Sequence, residues 1–530
     1  MKKKQRASKR VGPSKGFFDR IIFFIEKIGN YLPHPFTIFL LLIILIFILS
    51  FILSSLDVSV TYTSLDQESN QEISKTVSVV NLLQKGMLQS IMENFVKTFA
   101  YFAPVGFVII MVLGVSLAEQ AGFFSATIRQ LIFKTPRYLI TFIIAVAGIC
   151  ANIASDAGII IAPTLGGAIF LALRRHPIGG VCAGYVAAYG GFSANLFISG
   201  TDVVLAGITE SAVSHFALQA QVHPLMNWYA MVGSTIVLAS VVTIVTEKVI
   251  MPYLGEYDPP PEFKLYPESD DLKISRNEKR GLKAAALASL IFLVILLLMT
   301  VPSNGLLRND QGKLLPVSPL ISGIIFIIFA YFFIIGIVYG KAAKTIGSEK
   351  QIPRMMERGL SGVTGFLVVC LPASIFIDLF HKSQLTTIIA VNGANLIKNL
   401  QIGMIPTLLI FAFLCAALNL FITSGFTKWL ILAPIFVPLF FQVGISPAIT
   451  QMSYRIGDST TNIISPVSAY LPFLLGLLEK YRNKNQEIGI GSAISLMLPY
   501  SLLLLILWIV FLALWLLLGL NPGPGVSLFL

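Results

Sequence analysis

Long apolar segments recur along the chain and constrain its fold more than any other feature. A helix needs about 20 mostly apolar residues to cross the hydrocarbon core of a bilayer, and several segments reach this length. The clear segments are 35–56, 99–118, 282–301, 319–339, 359–380 and 494–518, with two more at 228–251 and, interrupted, at 446–478. The sequence therefore predicts a protein that crosses a membrane many times.

The composition excludes the main alternatives to a membrane protein. Only 12% of the 530 residues are charged and the mean hydropathy is +0.82, whereas soluble proteins have ~25% charged residues. So few charges cannot cover a water-soluble surface, which excludes a soluble enzyme and a disordered chain. The net charge of +12 comes largely from Lys and Arg in short loops, as expected for cytoplasmic loops, so no nucleic-acid partner is expected.

The positions of the basic residues predict how the spans are oriented. The basic N-terminus precedes an apolar segment that is too long for a signal peptide. We therefore expect a retained first span and a cytoplasmic N-terminus, with a surface-lying amphipathic helix over 17–32. A second surface helix is expected over 81–99, on the outer side. The expected cytoplasmic segments are the N-terminus, 119–137, 252–281, 340–358 and 479–486, whereas 57–85 is expected outside.

Two apolar regions are too interrupted to form ordinary spans. Residues 136–175 are centred on the polar sequence NIASDAG, and 403–443 are centred on NLFITSG. Helix breakers at mid-membrane depth are tolerated where the backbone is buried in protein or lines a cavity, so both regions are predicted to be re-entrant hairpins. Each hairpin precedes a span with a polar break of its own, at 190–202 and 455–466.

The broken segments repeat along the chain. Asn152 and Asn195 are 43 residues apart, as are Asn419 and Asn462, and the two pairs are offset by 267 residues. Corresponding broken segments in two halves are the best sequence indication of a transporter site. The predicted halves are 136–251 and 403–518. The expected fold is one all-α polytopic membrane domain, with nine transmembrane helices plus two re-entrant helical hairpins arranged as an inverted repeat.

Charged side chains inside apolar segments are costly, so they are functional candidates by default. Arg455 and Asp458 are three residues apart and share a face if helical. We expect Arg455 to bind an anionic substrate and Asp458 to couple transport to an ion; the alternative is a charge pair that only closes the break. Asp202 follows the first break without a charged neighbour, and Asp156 lies at the first hairpin tip.

Three further side chains each have two interpretations. Trp429, beside the second hairpin tip, either stacks on an aromatic substrate or packs against protein, and its neighbour Lys428 is equally ambiguous. Asp378 lies near the end of a span beside Lys382, which favours a solvated helix end over a transport role.

Neutral polar side chains accompany the unwound backbone at the tips and breaks. Such groups hold a carboxylate at helix N-termini or a cation at carbonyl ends. The candidates are Asn152, Ser155, Asn195, Asn419, Ser424 and Asn462, and the four asparagines are the candidate Na⁺ positions. HExxH, GxSxG, a complete Walker A motif and a TVGYG filter are all absent from the sequence. We therefore expect no catalytic residue, metal or cofactor, and a membrane-embedded enzyme or channel is the less favoured alternative.

Four motifs resemble those of the AbgT family of bacterial transporters. They are NIASDAG, RRHPIGGVCAGYVAAYGGFSANLFISGTDVVLAGIT, TSGFTKW and YRIGDSTTNIISPVSAYLPFLLG, and the likeness extends to the C-terminal LMLPYS and LGLNPGPG. The resemblance implies a bowl-shaped inner-membrane homodimer with nine spans and two hairpins per protomer. It also implies proton-driven transport of p-aminobenzoyl-glutamate, a folate breakdown product, or export of sulfonamide antimetabolites, without deciding the direction. A Na⁺-coupled carboxylate transporter of similar architecture is the alternative.

The resemblance also implies which residues form the substrate site. The matching residues are Asp202 after the first break, Asn419 and Trp429 of the second hairpin, and Pro447, Arg455 and Asp458 of the following span. The chain departs from the family pattern at the first break, which reads ISGTD instead of a more leucine-rich run.

Overall fold

A computed structural model describes most of the chain. The described residues are 33–65, 72–133, 136–154, 157–214, 220–258, 274–315, 317–361, 363–484 and 487–530. Three predictions lie wholly or partly outside them: the surface helix over 17–32, the hairpin-tip residues Ser155 and Asp156, and most of the loop 252–281, of which 259–273 is not described.

The first part of the chain forms nine principal helices. They are α1 (Pro35–Ser55), α2 (Lys85–Ala100), α3 (Ala103–Gln120), α4 (Phe123–Phe133), α5 (Ile140–Cys150), α6 (Ala157–Ala172), α7 (Pro177–Tyr185), α8 (Gly200–Ser214) and α9 (Trp228–Val245). A π turn, Val186–Gly190, extends α7 up to the first break, and a second π turn, Thr246–Ile250, joins α9 to a last helical turn, Met251–Leu254.

The second part of the chain forms ten principal helices. They are α10 (Arg276–Thr300), α11 (Ile324–Ala343), α12 (Gln351–Ser361), α13 (Thr364–Lys382), α14 (Leu385–Asn399), α15 (Met404–Asn419), α16 (Gly425–Phe441), α17 (Pro447–Thr460), α18 (Leu471–Lys480) and α19 (Ile490–Leu517). A one-turn helix, Pro319–Ser322, precedes α11, and a 3₁₀ turn, Asn462–Ile464, lies in the second break.

Seven of the described helical segments are long and apolar enough to cross a membrane. They are α1, α2 with α3, α9 with its extension, α10, α11, α13 and α19, and they include every uninterrupted apolar segment of the sequence. The predicted hairpins consist of the shorter apolar helices α5, α6, α15 and α16. The two broken spans, α7–α8 and α17–α18, would complete nine crossings; that count and the re-entry of the hairpins stay predictions.

The helices of the two halves correspond at the predicted offset. Adding 267 to α5, α6, α7 and α9 gives 407–417, 424–439, 444–452 and 495–512, which overlap α15, α16, α17 and α19. The correspondence extends beyond the predicted halves, because α2 and α3 shift to 352–367 and 370–387 and overlap α12 and α13. The order of helices therefore repeats from α2–α9 to α12–α19.

The expectation of an all-α chain needs one correction. In the polar segment after α1, Ser59–Leu65 (β1) pairs antiparallel with Glu72–Ser78 (β2). Valine and threonine occur in both strands and isoleucine in β2, and such β-branched residues favour extended backbone. The hydroxyls of Thr61 and Thr76 form a cross-strand hydrogen bond of 2.8 Å. The polarity of this segment predicts a loop, whereas its β-branched residues account for the two strands.

Glycines allow the first hairpin to pack tightly against the first broken span. Gly166 of α6 faces Gly180 of α7, and a Cβ on either residue would overlap the backbone carbonyl of the other. A Cβ on Gly184 would likewise overlap the carbonyl of Ala162. The two helices can therefore approach at backbone contact, which fixes the hairpin beside the first break.

The broken spans lie at the centre of the molecule. Every residue of α7 and α17 is buried, whereas α10 buries only Gly281, Ala285 and Thr300. Exposed leucine, isoleucine and valine side chains recur from Leu287 to Leu298 of α10, as expected of a helix that faces lipid. The polar breaks are thereby enclosed by apolar helices.

Candidate functional site

A buried ion pair joins the two broken spans. Arg455 of α17 donates from Nη2 to Asp202 Oδ1 of α8 and to the carbonyl oxygen of Ser193, 2.8 Å away. The two charged residues are 2% and 7% exposed. Arg455 therefore connects α17 to both sides of the first break. Its Nε is buried without a hydrogen-bond partner among the described residues.

The start of α8 orients Asp202. Ser199 donates from its backbone N and its Oγ to Asp202 Oδ2, each at 2.7 Å. The Asp202 amide lies 3.4 Å from Ser199 Oγ, which completes a capping box with aspartate in the usual glutamate position. The ISGTD sequence thus supplies the helix cap, while the second carboxylate oxygen remains for Arg455.

A second buried ion pair forms at the tip of the second hairpin. Lys428 Nζ lies 2.6 Å from Asp458 Oδ1, and these side chains are 2% and 4% exposed. The same ammonium donates to Asn419 Oδ1. The Tyr454 hydroxyl lies 3.2 Å from Asp458 Oδ1, and a Cβ on Gly425 would come within 2.7 Å of Oδ2. The hairpin tip therefore closes around the carboxylate.

The two charges of α17 pair with other residues instead of with each other. Arg455 contacts Asp202, and Asp458 contacts Lys428, so the alternative interpretation, a charge pair between Arg455 and Asp458, does not describe this structure. Helical residues three apart differ by only ~60° around the axis, but two long side chains can still reach opposite partners. The ambiguous Lys428 supplies the counter-charge that sequence spacing assigned to Arg455.

Asn419 ties the second hairpin to the second break. Its Nδ2 lies 3.0 Å from Thr461 Oγ1 and 2.9 Å from Asn462 Oδ1, and it also donates to the carbonyl oxygen of Asp458. Asn462 Nδ2 donates in turn to the carbonyl oxygen of Tyr189, 3.3 Å away, in the π turn after α7. The amide pair therefore links both broken spans.

The corresponding asparagines of the first half have fewer partners. Asn152 is completely buried, yet neither its Nδ2 nor its Oδ1 has a partner among the described residues, and the same holds for Asn195 Nδ2. Buried amides without partners are rare. Of the four candidate Na⁺ positions, Asn152 therefore has a carbonyl oxygen left for a cation, whereas the spare Nδ2 of Asn195 can only donate a hydrogen bond. Within the described chain, no three His, Cys, Asp or Glu side chains form a metal-binding group.

Trp429 packs against protein in this structure. The residue is fully buried, and its ring stacks on Tyr454 with centroids 4.5 Å apart. Its Nε1 donates to Thr209 Oγ1 at 2.9 Å, and Gln451 Nε2 donates to the same hydroxyl at 2.8 Å. These contacts agree with the packing interpretation. Stacking on a substrate stays a prediction, because it would require this layer to open.

Two other candidates have structural positions. Pro447 is the first residue of α17 and lies eleven residues before Asp458, which is about 16 Å along the helix axis. The structure therefore does not bring it to the ion pairs. Ser424 caps α16, since its Oγ accepts from the Thr427 amide at 3.4 Å.

A cavity of about 470 Å³ lies beside the second hairpin tip. Ser424, Phe426 and Thr427 line it from the hairpin, and Phe192 and Thr201 line it from the first break. Its volume falls within the ~300–1,000 Å³ typical of small-molecule sites. One residue of each ion pair directly follows Thr201 or Thr427 in the chain, so each pair includes the immediate chain neighbour of a cavity-lining residue.

Helices outside the broken spans supply the rest of the lining, which sequence reasoning missed. Arg358 of α12, Phe366 of α13 and Gln120 of α3 all border the cavity. Arg358 was assigned to a cytoplasmic loop, because its basic neighbours satisfy the positive-inside rule without any further role. The available signal is the spacing of apolar residues along α12, at Ile352, Met355, Met356 and Leu360, which is typical of an amphipathic helix.

A second cavity, of about 330 Å³, borders the other end of α8. Its lining includes Glu210 and Ser211 of α8, Lys97 of α2 and Asp378 of α13. Lys382 lies 2.8 Å from Asp378, and both side chains are about a quarter exposed, which fits the solvated helix end expected there. Helix α8 thus runs from one cavity to the other.

Comparison with known proteins decides the family. The model of the AbgT putative transporter family matches residues 20–530. The chain belongs to the AbgT transporter family. This confirms the resemblance of the four motifs, and the AbgT assignment together with the apolar helices makes the protein a multi-pass membrane transporter.

Individual AbgT proteins match along nearly their whole length. The p-aminobenzoyl-glutamate transport protein of Escherichia coli (strain K12) is 35% identical over 514 residues, covering 97% of this chain and 98% of the relative. The structure resembles the YdaH transporter of Alcanivorax borkumensis, with a TM-score of 0.84, 33% identity and coverage of 93% of this chain and all of that one. It also resembles MtrF of Neisseria gonorrhoeae, described within a class of antimetabolite efflux pumps, with a TM-score of 0.89, 36% identity and coverage of 96% of this chain and all of that one.

Proposed function

We propose that this protein is a secondary active transporter driven by the proton gradient. Its substrates are p-aminobenzoyl-glutamate-type folate catabolites, sulfonamide antimetabolites that it exports, or both. The names of the Escherichia coli and Neisseria relatives support this substrate class. The protein acts as a homodimer in the bacterial inner membrane, with its N-terminus in the cytoplasm and its two halves inverted.

The observation that carries this proposal is the position of the two buried ion pairs. Arg455–Asp202 and Lys428–Asp458 lie where the broken spans meet, next to residues that line a cavity of ligand size. Ionisable groups inside a membrane are costly and mark substrate or ion pathways. A coupled transporter needs charged groups that can exchange their partners. The two ion pairs provide such groups beside the cavity.

The cavity lining suits an aromatic substrate with carboxylates. Phe192, Phe366 and Phe426 offer ring surfaces for an aminobenzoyl group. Arg358 lines the same cavity, and a guanidinium matches a carboxylate with two parallel hydrogen bonds. Arg455 provides a second guanidinium nearby, with its Nε still unpaired among the described residues. The two carboxylates of a glutamyl group therefore have two candidate partners.

Asp202 becomes the first choice for the coupling residue. A substrate carboxylate that reaches Arg455 competes with Asp202 for the same Nη2 group. A substrate carboxylate in this position leaves Asp202 without its counter-charge, and a proton carried with the substrate restores the charge balance. Substrate and proton then cross in the same direction, so the inward proton gradient drives uptake by this route, whereas export needs the opposite coupling, in which a proton replaces the substrate. Asp458, the residue expected from the sequence, keeps Lys428 as its partner throughout this exchange.

The two cavities mark the two ends of the path that we propose for the substrate. Thr201 borders the larger cavity and Ser211 the smaller one, at opposite ends of α8. Between them lies the closed layer of Trp429, Thr209 and Gln451. Alternating access requires this layer to open on one side at a time.

Transport into liposomes with separately imposed pH and Na⁺ gradients tests the proposal. We expect a pH gradient alone to drive accumulation of p-aminobenzoyl-glutamate or a sulfonamide by the wild type. Asp202→Asn should lose accumulation but keep part of the substrate exchange at equal pH, because the variant cannot change its charge. Glu479→Gln is the control, since that carboxylate pairs with Arg482 at an exposed position and lines neither cavity, and it should behave like the wild type.

The outcomes of this experiment distinguish coupling to protons from coupling to Na⁺. Accumulation by Asp202→Asn under a pH gradient alone would show that Asp202 is not the coupling residue. Accumulation of substrate by the wild type only under a Na⁺ gradient would establish the Na⁺-coupled alternative, which Asn152 Oδ1, without a partner among the described residues, favours. No gradient-dependent flux of either substrate class would overturn the proposed function.

A further inference from the structure

Lys428 places its ammonium where two helices end. Asn419 is the last residue of α15, and Asp458 lies two residues before the end of α17. The ammonium contacts the side-chain oxygens of both residues. The last carbonyls of a helix carry partial negative charge and favour a nearby cation. This oxygen-lined position therefore suits a monovalent cation.

The helix that carries Lys428 gives no reason for a charge at this position. Lys428 is the fourth residue of α16, and a positive charge near a helix N-terminus is unfavourable. Its side chain is only 2% exposed, so it contributes nothing to solubility. An apolar pair of similar volume is often at least as stable as a buried ion pair. The surrounding acceptors, rather than its own helix, therefore account for the charge.

The first half has the same asparagine but no ammonium. At the 267-residue offset, Asn419 corresponds to Asn152, and Lys428 corresponds to Ile161. The Ala-Pro motifs of α6 and α16 give an offset of 271 instead, and this alignment places Ala157 opposite Lys428. The counterpart is apolar in either alignment. Asn419 uses both of its side-chain polar atoms, whereas Asn152 uses neither among the described residues.

We propose that Lys428 is a tethered cation that permanently occupies a monovalent-cation site in the second half, and that truncating it opens this site to Na⁺. The inference rests on the proposed function, because it assumes that the two halves of one transporter contain related ion sites. Because Asp458 and Asn419 already hold an ammonium, the wild type binds no Na⁺ at this tip. Any Na⁺ that the wild type uses must then bind elsewhere, and Asn152 and Asn195 remain the candidate positions.

Thermal unfolding of the full-length purified protein tests this inference without requiring transport. Midpoints are compared in NaCl and in choline chloride at equal ionic strength for the wild type and for Lys428→Ala. The truncated variant leaves room beside Asp458 and Asn419, so Na⁺ should raise its midpoint by roughly 2 °C more than that of the wild type when Na⁺ is near 100 times its Kd.

Three variants serve as controls. Lys428→Met keeps the side-chain volume without the charge, and Lys428→Ala/Asp458→Asn keeps the space without the carboxylate. Neither should show a Na⁺-specific rise beyond that of the wild type. Lys382→Ala breaks the other Lys–Asp pair, which is about a quarter exposed, and should also respond like the wild type.

Two results would overturn the inference. One is a Lys428→Ala protein whose Na⁺ response equals that of Lys428→Met. The other is a Lys428→Ala protein that is recovered folded in neither salt while Lys428→Met is folded, since the position then accepts no ion. Absence of transport by the wild type would leave this result intact and would instead count against the proposed function.

Discussion

Arg455 and Asp202 depend on each other because both are buried. Removing one partner leaves an uncompensated charge, which costs ~3–5 kcal/mol in buried pairs, whereas replacing both partners by neutral groups is often tolerated. We therefore expect Arg455→Gln and Asp202→Asn each to lower the thermal midpoint strongly. The double variant should recover most of the stability but should not transport, and unfolding and flux measurements on the same preparations check both expectations.

The exposed pair of Arg482 and Glu479 provides the control. These side chains are 34% and 54% exposed, and exposed ion pairs contribute only ~0–1 kcal/mol, so Arg482→Gln should change the midpoint little. A double variant of the buried pair as unstable as the sum of its single variants would show that the two charges do not balance each other.

The sequence identified the charged residues of the site but not their partners. Asp202, Arg455 and Asp458 were found because charge is costly inside apolar segments. Asp202 and Arg455, however, are separated by 253 positions, and no local pattern relates residues so far apart. Spacing therefore suggested the nearest opposite charge in the chain, while Lys428 reached Asp458 through the fold of the hairpin.

At the scale of helices, hydrophobic length predicted the elements that the structure contains. The uninterrupted apolar segments form long helices, and helices end at the polar centres of the two interrupted regions, α5 at Cys150 and α15 at Asn419. The β1–β2 ribbon and α12 were not predicted, because polar segments were treated as loops. The β-branched residues indicate the β1–β2 ribbon, and the helical spacing of apolar residues indicates α12.

The glycine contact between α6 and α7 predicts that the effect of a glycine-to-alanine substitution on stability depends strongly on its position. Gly166→Ala would place a methyl group against the carbonyl of Gly180, and overpacking of this kind costs ~1–3 kcal/mol or separates the helices. We expect a marked loss of folded protein in detergent, measured by size-exclusion profile and thermal midpoint.

A glycine in an open position distinguishes close packing from helix propensity. At Gly476 of α18, no neighbouring atom lies within 4 Å of the position that a Cβ would occupy, and replacing helical glycine by alanine normally stabilises by ~1 kcal/mol. Gly476→Ala should therefore be neutral or stabilising. Equal behaviour of the two variants would refute the role assigned to the α6–α7 contact.

At the scale of the whole molecule, a histidine outside the spanning helices makes stability depend on pH. His176 lies just before α7, and its ring meets that of Tyr257 edge-on with centroids 5.0 Å apart. Burial lowers the pKa of His176 from 6.5 to about 4. The unfolded chain therefore binds a proton between these values that the folded protein does not bind, and stability falls as the pH falls from 6.5 towards 4.

Thermal midpoints measured between pH 7 and pH 4 check this expectation. His176→Phe keeps the ring contact and should reduce the loss of stability on acidification relative to the wild type. His34→Phe, at an exposed position, should leave the loss unchanged. An identical acid dependence for His176→Phe and the wild type would contradict the assignment.

The two ion pairs also determine how the membrane potential acts on transport. Arg455 and Lys428 cancel Asp202 and Asp458, so these four residues carry no net charge when the carrier returns without cargo. The electric field then acts only on what the cargo brings, at ~2.3 kcal/mol per charge for each 100 mV. A glutamyl dianion that travels with two protons would cross electroneutrally, whereas one that travels with a single proton would move one negative charge and be driven outward by a potential that is negative inside.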